Sequence, residues 1–177
     1  MPITPFHFGP AAFTKSVTGG YFSFVAFGFT QVLIDLEPLF YMSQGLWPIH
    51  RLFHTYLGST VVALLVIFPG KPICEAVLRF WNSRLSDTQM RLLSVKAQIS
   101  LIAAGVGALF GAYSHVFFDS IMHSDMRPLA PFSDENHLLY IVSIDQLHQL
   151  CLVFGVVGGF ILLMQLAKKM TALNRDE

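Results

Sequence analysis

Residues 98–121 read QISLIAAGVGALFGAYSHVFFDSI and form an apolar run long enough to cross a bilayer as one helix. No charged side chain occurs from Gln98 to Ser114, whereas His115 and Asp119 occupy the end of the run. Ionisable groups at membrane depth are costly and mark functional sites by default. The run therefore predicts a membrane-spanning helix whose polar side chains are gathered at one end.

Three further apolar stretches extend over residues 20–42, 52–68 and 147–167. The chain is 54% hydrophobic and only 12% charged, and its mean hydropathy is +0.58. With four such stretches in 177 residues, too few polar residues remain to cover a soluble core. We therefore expect a single all-α domain over residues 1–177, an integral membrane bundle with four long transmembrane helices. Its zero formal net charge argues against a nucleic-acid partner.

The connector at residues 72–96 is basic and carries apolar side chains at helical spacing, which is typical of an interfacial helix. Ser86 followed by Gln89 resembles a capping box, a pattern that marks a helix start. We therefore expect the third spanning helix to begin near Asp87. The proline-containing loop at residues 124–143 is expected to be irregular and to lie outside the bilayer.

The N-terminal segment allows two interpretations. Residues 10–17 can form a short helix, with Gly19-Gly20 as a turn into the first long helix. That hairpin would place His7 near Asp35. Alternatively, the segment is a simple tail on the opposite side of the membrane. No cleavable signal peptide is expected, because no basic start precedes an apolar run and a small-residue cleavage site.

Basic residues predict the orientation, because Lys and Arg accumulate in cytoplasmic loops. Nine of the 11 basic residues fall on one side if the spans alternate, and Arg51 and Arg127 fall on the other. We therefore expect the connector and the C terminus to be cytoplasmic, and the loops at 43–50 and 124–143 to face outward. The nine residues are Lys15, Lys71, Arg79, Arg84, Arg91, Lys96, Lys168, Lys169 and Arg175.

Histidines and acids gather at the outward end of every long helix. A four-residue step puts side chains on one helix face, and imidazole and carboxylate groups together suit zinc, iron or manganese. The outward groups therefore predict a metal site, whereas His137 in the polar loop is expected to be solvated. The groups are Asp35 and Glu37, His50 and His54, His115 with Asp119, His123 and Asp125, and Asp145 with His148.

Three other uses of such a bundle remain open at this stage. Haem would need histidines on facing helices at matched depth, and the many acids would be unusual there. A divalent-metal or proton carrier would use intramembrane Asp and His, but these residues lie at helix ends and not at mid-span. A non-catalytic metal-binding or assembly module is the third, because Gly155 and Gly159, like Gly105, Gly107 and Gly111, permit close helix packing.

The ordered motifs resemble the small membrane-bound, metal-dependent hydrolases of the YdjM type. They are Pro-Phe-His ending at His7, Asp-Leu-Glu-Pro from Asp35, His-Arg-Leu-Phe-His-Thr from His50, and Ser-His-Val-Phe-Phe-Asp ending at Asp119. The resemblance covers roughly residues 5–130. The order of the ligands is also similar to that of the all-helical zinc phospholipase C and single-strand nuclease superfamily, in which a multi-zinc site cleaves phosphodiesters. The resemblance favours the N-terminal hairpin.

The resemblance implies a bacterial inner-membrane hydrolase with one to three divalent ions, zinc first, at the outward end. Asp35 and Asp119 would be catalytic, bridging metals or accepting the proton of the attacking water. Position alone, and not the resemblance, suggests that Arg51 or Arg127, the basic residues on that side, would hold an anionic group of a small-molecule or lipid substrate. The oligomeric state stays open. The implied metal ligands are His7, Asp35, His54, His115 and Asp119, with His50 and His123 as ligands or as their hydrogen-bonding partners.

Overall fold

A computed structural model describes residues 5–173, and Arg175 lies outside this range. The described part is all-helical, as predicted, and contains no strand. Short 3-10 turns at Pro5–His7 and Gly19–Tyr21 precede and follow the first helix. The helices are α1 (Phe8–Thr18), α2 (Phe24–Ser43), α3 (Tyr56–Ile67), α4 (Lys71–Ser83), α5 (Asp87–Leu93), α6 (Leu101–Met122) and α7 (Ile144–Leu173).

Three helices, α2, α6 and α7, are long and apolar enough to cross a membrane. The second apolar stretch forms only α3, which has 12 residues and is bent by 57° from α4. The break follows Phe68, where Pro69 has no N–H to donate to the helix. Residues 5–173 thus contain three candidate membrane spans, or four if the bent pair counts as one span, as expected of a membrane protein. The connector at residues 72–96, predicted as an interfacial helix, forms two helices, α4 and α5.

The third spanning helix does not begin near residue 87, so that prediction was wrong. The capping box at Ser86 is present, but it opens the seven-residue helix α5. α6 begins only after its N-cap, Ser100. Between the two helices, the side-chain amide of Asn82 donates to the Val95 carbonyl at 2.7 Å and accepts the Val95 backbone N–H at 3.0 Å. The Asn82 side chain of α4 therefore satisfies the backbone hydrogen-bonding groups of an extended segment. The local sequence pattern does not reveal this contact.

The N-terminal segment forms the short helix α1, and Gly19 adopts φ +54° in the turn that follows. α1 packs chiefly against α7, whereas the hairpin prediction paired it with α2. Glycines allow this contact, because a Cβ on Gly158 would lie 2.4 Å from the backbone nitrogen of Phe13. Gly159 and Gly105 face open space. The α1–α7 contact holds the residue preceding α1, His7, at the end of the bundle where α2 and α6 carry their acids.

α2, α3 and α6 pack around a core of small and branched side chains. The core cluster extends to Cys74 and Leu78 of α4, so α4 closes the end of the bundle opposite the histidines. The other buried members of this cluster are Ala26, Ile34, Val62, Ala63, Val66, Ile67, Ile99, Ala103, Ala104, Ala108 and Ala112. A packed apolar layer therefore lies below the histidine cluster.

Gly158→Ala should lower the stability of the protein by about 1–3 kcal/mol, because the added methyl group overpacks the α1–α7 contact. Gly159→Ala is the matched control. Its methyl group meets open space, and alanine favours a helix over glycine by about 1 kcal/mol. Thermal unfolding of both variants in detergent micelles measures the difference. Equal unfolding temperatures for the two variants would contradict the packing of α1 on α7.

Candidate metal centre

Five of the predicted ligands meet at one end of the bundle, although they come from four separate segments. Each is buried, with at most 6% of its surface exposed. A cluster of buried ionisable side chains requires compensation by hydrogen bonds or a bound ion. The five are His7 before α1, Asp35 on α2, His54 before α3, and His115 and Asp119 on α6.

His115 and Asp119 lie one turn apart on α6 and form the middle of the cluster. His115 Nε2 is 3.2 Å from Asp119 Oδ2 and 3.5 Å from Asp35 Oδ1. His7 Nε2 lies 3.5 Å from the other Asp119 oxygen, Oδ1. Both carboxylates therefore lie close to the same imidazole nitrogen, and the N-terminal turn adds a second histidine beside Asp119.

Glu37 orients His54. The Nδ1–H of His54 donates to Glu37 Oε2 at 3.0 Å. The same carboxylate accepts the backbone N–H groups of Arg51 and Phe53, both at 3.0 Å. A carboxylate that accepts from one ring nitrogen leaves the other nitrogen as an acceptor, which is the usual support of a metal-binding histidine. His54 Nε2 accordingly faces the cluster.

Gln31 orients the His115 ring in the same way as Glu37 orients His54. Its side-chain nitrogen donates to the Gly111 carbonyl at 3.1 Å, so its oxygen accepts from the Nδ1–H of His115. This assignment of protons follows from the hydrogen-bond network. His115 Nε2 then carries a lone pair and lies 3.3 Å from His54 Nε2. Asp119 Oδ2 is 3.6 Å from His54 Nε2.

The chemistry of these atoms fits a divalent cation. Two imidazole lone pairs and a carboxylate oxygen converge on one point, and acceptors cannot satisfy one another. His7 Nε2 is also buried and has no hydrogen-bond partner within residues 5–173. A cation coordinated by these atoms would satisfy all of them at once, and the mixed nitrogen and oxygen set suits zinc.

A second group, nearer the loops, consists of His50, His123 and Asp125. His50 Nδ1 lies 2.8 Å from Asp125 Oδ1, and Asp125 Oδ2 accepts the backbone N–H groups of Ile49 and His50 at 3.0 and 3.1 Å. The His50 ring stacks on His123, with centroids 4.4 Å apart, and lies 4.7 Å from the His54 ring. His50 thus links the buried cluster to the loops.

Four overlapping sets of three residues bring their ligand atoms within 4.8 Å of one another. All seven predicted metal ligands occur in these sets, and Asp125 is the eighth member. Several buried His and Asp groups could therefore hold a metal ion. The sets are His7–His115–Asp119, Asp35–His54–His115, His50–His54–Asp119 and His50–His123–Asp125.

Burial sets the protonation of the groups outside the spanning helices. It lowers the pKa of His7 to about 4 and that of His123 to about 4, and it also lowers the pKa of His54. Burial raises the pKa of Asp125, but hydrogen bonds from His50 outweigh this and leave it below its usual value. These histidines are neutral at pH 7, as metal ligands must be.

Arg51 and Arg127, the predicted substrate-binding residues, line one open cleft of about 610 Å³. Arg51 Nε donates to the Pro48 carbonyl at 2.8 Å, and its guanidinium lies 3.8 Å from the centroid of the Tyr41 ring. Arg127 is exposed and pairs with Asp134 at 3.1 Å. His50 also lines the cleft, so the cleft adjoins the second histidine group.

Two residues expected at the outward cluster lie apart from it. Asp145 is exposed, and His148 stacks on Phe6 with ring centroids 4.2 Å apart. Neither belongs to a candidate metal set. His137 is solvated as predicted: its side chain is 77% exposed and pairs with Glu135.

The sequence pattern did not predict that Gln31, Glu37 and Asp125 orient histidine rings. Gln31 precedes Asp35 by one helical turn and therefore shares its face, a signal that was available. The sequence predicts that Glu37 and Asp125 lie at the outward end, but the groups that they bind depend on the geometry of the loop before α3. Both carboxylates accept backbone N–H groups of residues 49–53, contacts that have no signature in a linear pattern.

Metal-free protein should lose stability as the pH falls from about 6.5 to about 4. The unfolded chain binds protons in this window, whereas buried His7 and His123, with pKa values of about 4, do not. His7→Gln and His123→Gln should each reduce this loss, as measured by the unfolding temperature of chelator-treated protein across the window. His137→Gln, at an exposed site, is the control. A slope as steep in His7→Gln as in the parent protein would contradict the burial of His7.

Comparison with known proteins gives one match. The model of the family described as a domain of unknown function, DUF4184, matches residues 1–177. No curated protein and no solved structure matches the chain. A family model that covers the whole chain shows membership, so the chain belongs to the DUF4184 family.

Proposed function

We propose that this protein is a metal-dependent hydrolase whose metal centre, with zinc as the preferred ion, lies at the outward end of the membrane bundle. One observation carries the proposal: the Nε2 lone pairs of His54 and His115 face each other at 3.3 Å beside the Asp119 carboxylate. Two acceptors cannot satisfy one another, and a bound divalent cation would satisfy both nitrogens and the carboxylate together. The resemblance of the motifs to YdjM-type hydrolases adds the reaction class.

A divalent ion bound here would supply a water of lowered pKa and would polarise a phosphoryl or acyl oxygen. Asp35 and Asp119 are the groups suited to accept the proton of that water, since both carboxylates lie within 3.5 Å of His115 Nε2. Arg51 and Arg127 would hold the anionic part of a phosphoester or lipid substrate. The overlap of the four ligand sets is compatible with one to three ions.

We place the protein in the bacterial inner membrane with the C terminus in the cytoplasm. Support comes from the end of the bundle opposite the histidines, where Lys15 donates to the Phe22 carbonyl at 2.8 Å. Lys169 at the end of α7 reaches the Leu92 carbonyl at 3.2 Å. Basic residues of two separate segments, α1 and α7, thus share one end, which the positive-inside tendency assigns to the cytoplasm.

Purified protein should contain stoichiometric divalent metal, and His115→Ala should lose most of it. Plasma mass spectrometry of protein prepared without chelator measures the content. His137→Ala is the matched control, since that imidazole is exposed and belongs to none of the candidate metal sets. Protein that folds normally and carries no metal in any divalent-metal medium would refute the proposal.

Glu37→Gln should weaken metal binding by about 10- to 100-fold, because the amide cannot accept all the N–H groups that the carboxylate accepts. The affinity follows from competition with a chelator of known strength. Glu135→Gln, another glutamate beside a histidine but 71% exposed in its side chain, is the control. An unchanged affinity in Glu37→Gln would mean that His54 is not a ligand.

Asp119→Asn should reduce the hydrolysis of a chromogenic phosphodiester or carboxylic ester by at least about 100-fold. Restoration of activity by added zinc, after chelation of the parent protein, tests the metal requirement.

The carrier interpretation predicts metal uptake into proteoliposomes without hydrolysis. The buried layer below the site argues against a path, because its side chains are apolar and the Thr30 hydroxyl there bonds to the Ala26 carbonyl of its own helix.

A further inference from the structure

The cleft beside His50 differs in character from the metal cluster. Its lining includes two basic residues, Arg51 and Arg127, and two leucines, Leu52 and Leu57. The leucines are 61% and 50% exposed, so their apolar surface is available to a ligand. A site with a cationic part and an apolar part suits an amphiphile.

The apolar part of the cleft continues along α3. Leu57 begins a stripe of exposed side chains at helical spacing, with Val61 one turn and Leu64 two turns further along. Their exposed fractions are 50%, 50% and 45%. Because α3 belongs to a candidate span, this stripe runs from the cleft toward the bilayer interior. A hydrocarbon chain held against the stripe would remain in the membrane.

Exposed aromatic side chains flank the mouth of the cleft. Trp47 precedes the cleft residue Pro48 and is 69% exposed, and Phe132 follows the cleft residue Pro131 and is 87% exposed. Aromatic side chains, above all Trp and Tyr, are typical of the interface between lipid and water. The loops therefore set the cleft at the level of lipid head groups.

We propose that this cleft binds a phosphate-headed lipid of the surrounding leaflet. The phosphate lies between Arg51 and Arg127, close to His50, and the acyl chain follows the stripe that begins at Leu57. Asp134 pairs with Arg127 and leaves a net positive charge at the cleft, which fits one anionic head group. This inference rests on the proposed function for the role of His50. It deepens that function by naming the substrate class, a phosphate-headed lipid.

Equilibrium binding of radiolabelled dodecyl phosphate to the full chain in dodecyl maltoside micelles tests the proposal. The detergent has a tail of the same length and a neutral head, so only the head group distinguishes the probe. Arg51→Gln and Arg127→Gln should each weaken binding about tenfold, the loss of a charge-assisted hydrogen bond. Asp134→Asn should strengthen binding severalfold, because it releases Arg127. Arg79→Gln, on α4 at the opposite end, should have no effect.

The concentration of inorganic phosphate that displaces half of the probe should be at least tenfold higher than that of unlabelled dodecyl phosphate. Leu57→Asn should reduce this ratio, because it removes apolar surface that the dodecyl chain contacts. Equal competition by inorganic phosphate would mean a site for a soluble phosphate compound and would overturn the proposal. So would binding that neither arginine variant changes. Measurement with chelator present separates this inference from metal-dependent hydrolysis: arginine-dependent binding by metal-free protein upholds the lipid site even if no hydrolysis is found.

Discussion

Two imidazole nitrogens, His54 Nε2 and His115 Nε2, face each other at 3.3 Å in the interior of the bundle. Gln31 and Glu37 accept the protons of the opposite ring nitrogens, so the facing atoms are both acceptors. In a medium of low polarity such a pair is unfavourable unless a cation or a proton lies between the two nitrogens. The rest of this end of the bundle adds to the same cluster: α6 supplies Asp119, α2 supplies Asp35, and the N-terminal turn supplies His7.

The membrane explains why the site lies where it does. Helices in lipid satisfy their own backbone groups and leave only their ends for polar chemistry. The layer below the cluster is filled by small apolar side chains that let α2, α3 and α6 approach closely. Gly158 lets α1 lie close against α7, and this contact holds His7 at the cluster. An apolar bundle thus brings candidate metal ligands from distant parts of the chain together at one end, next to the cleft lined by Arg51 and Arg127.

Much of the fold and of the site was predictable. Continuous apolar runs identify α2, α6 and α7, since a span needs about 20 apolar residues. The four-residue step between His115 and Asp119 places both on one face. Prediction failed where side chains from elsewhere decide the backbone. Asn82 pairs with the extended backbone of Val95, and Glu37 accepts backbone N–H groups of Arg51 and Phe53, so α3 begins only at Tyr56.

The sequence by itself determined the membrane bundle and the end at which its ionisable groups lie, because hydropathy and helical period are local properties. It also listed the ligand candidates. Only the tertiary structure decided that α1 packs on α7, that His7 and Asp35 meet across Asp119 and His115, and that Asp145 stands apart. It alone assigned Glu37 to His54 and Asp125 to His50. Such pairings depend on how helices cross and how loops close, which are long-range contacts that no local pattern encodes.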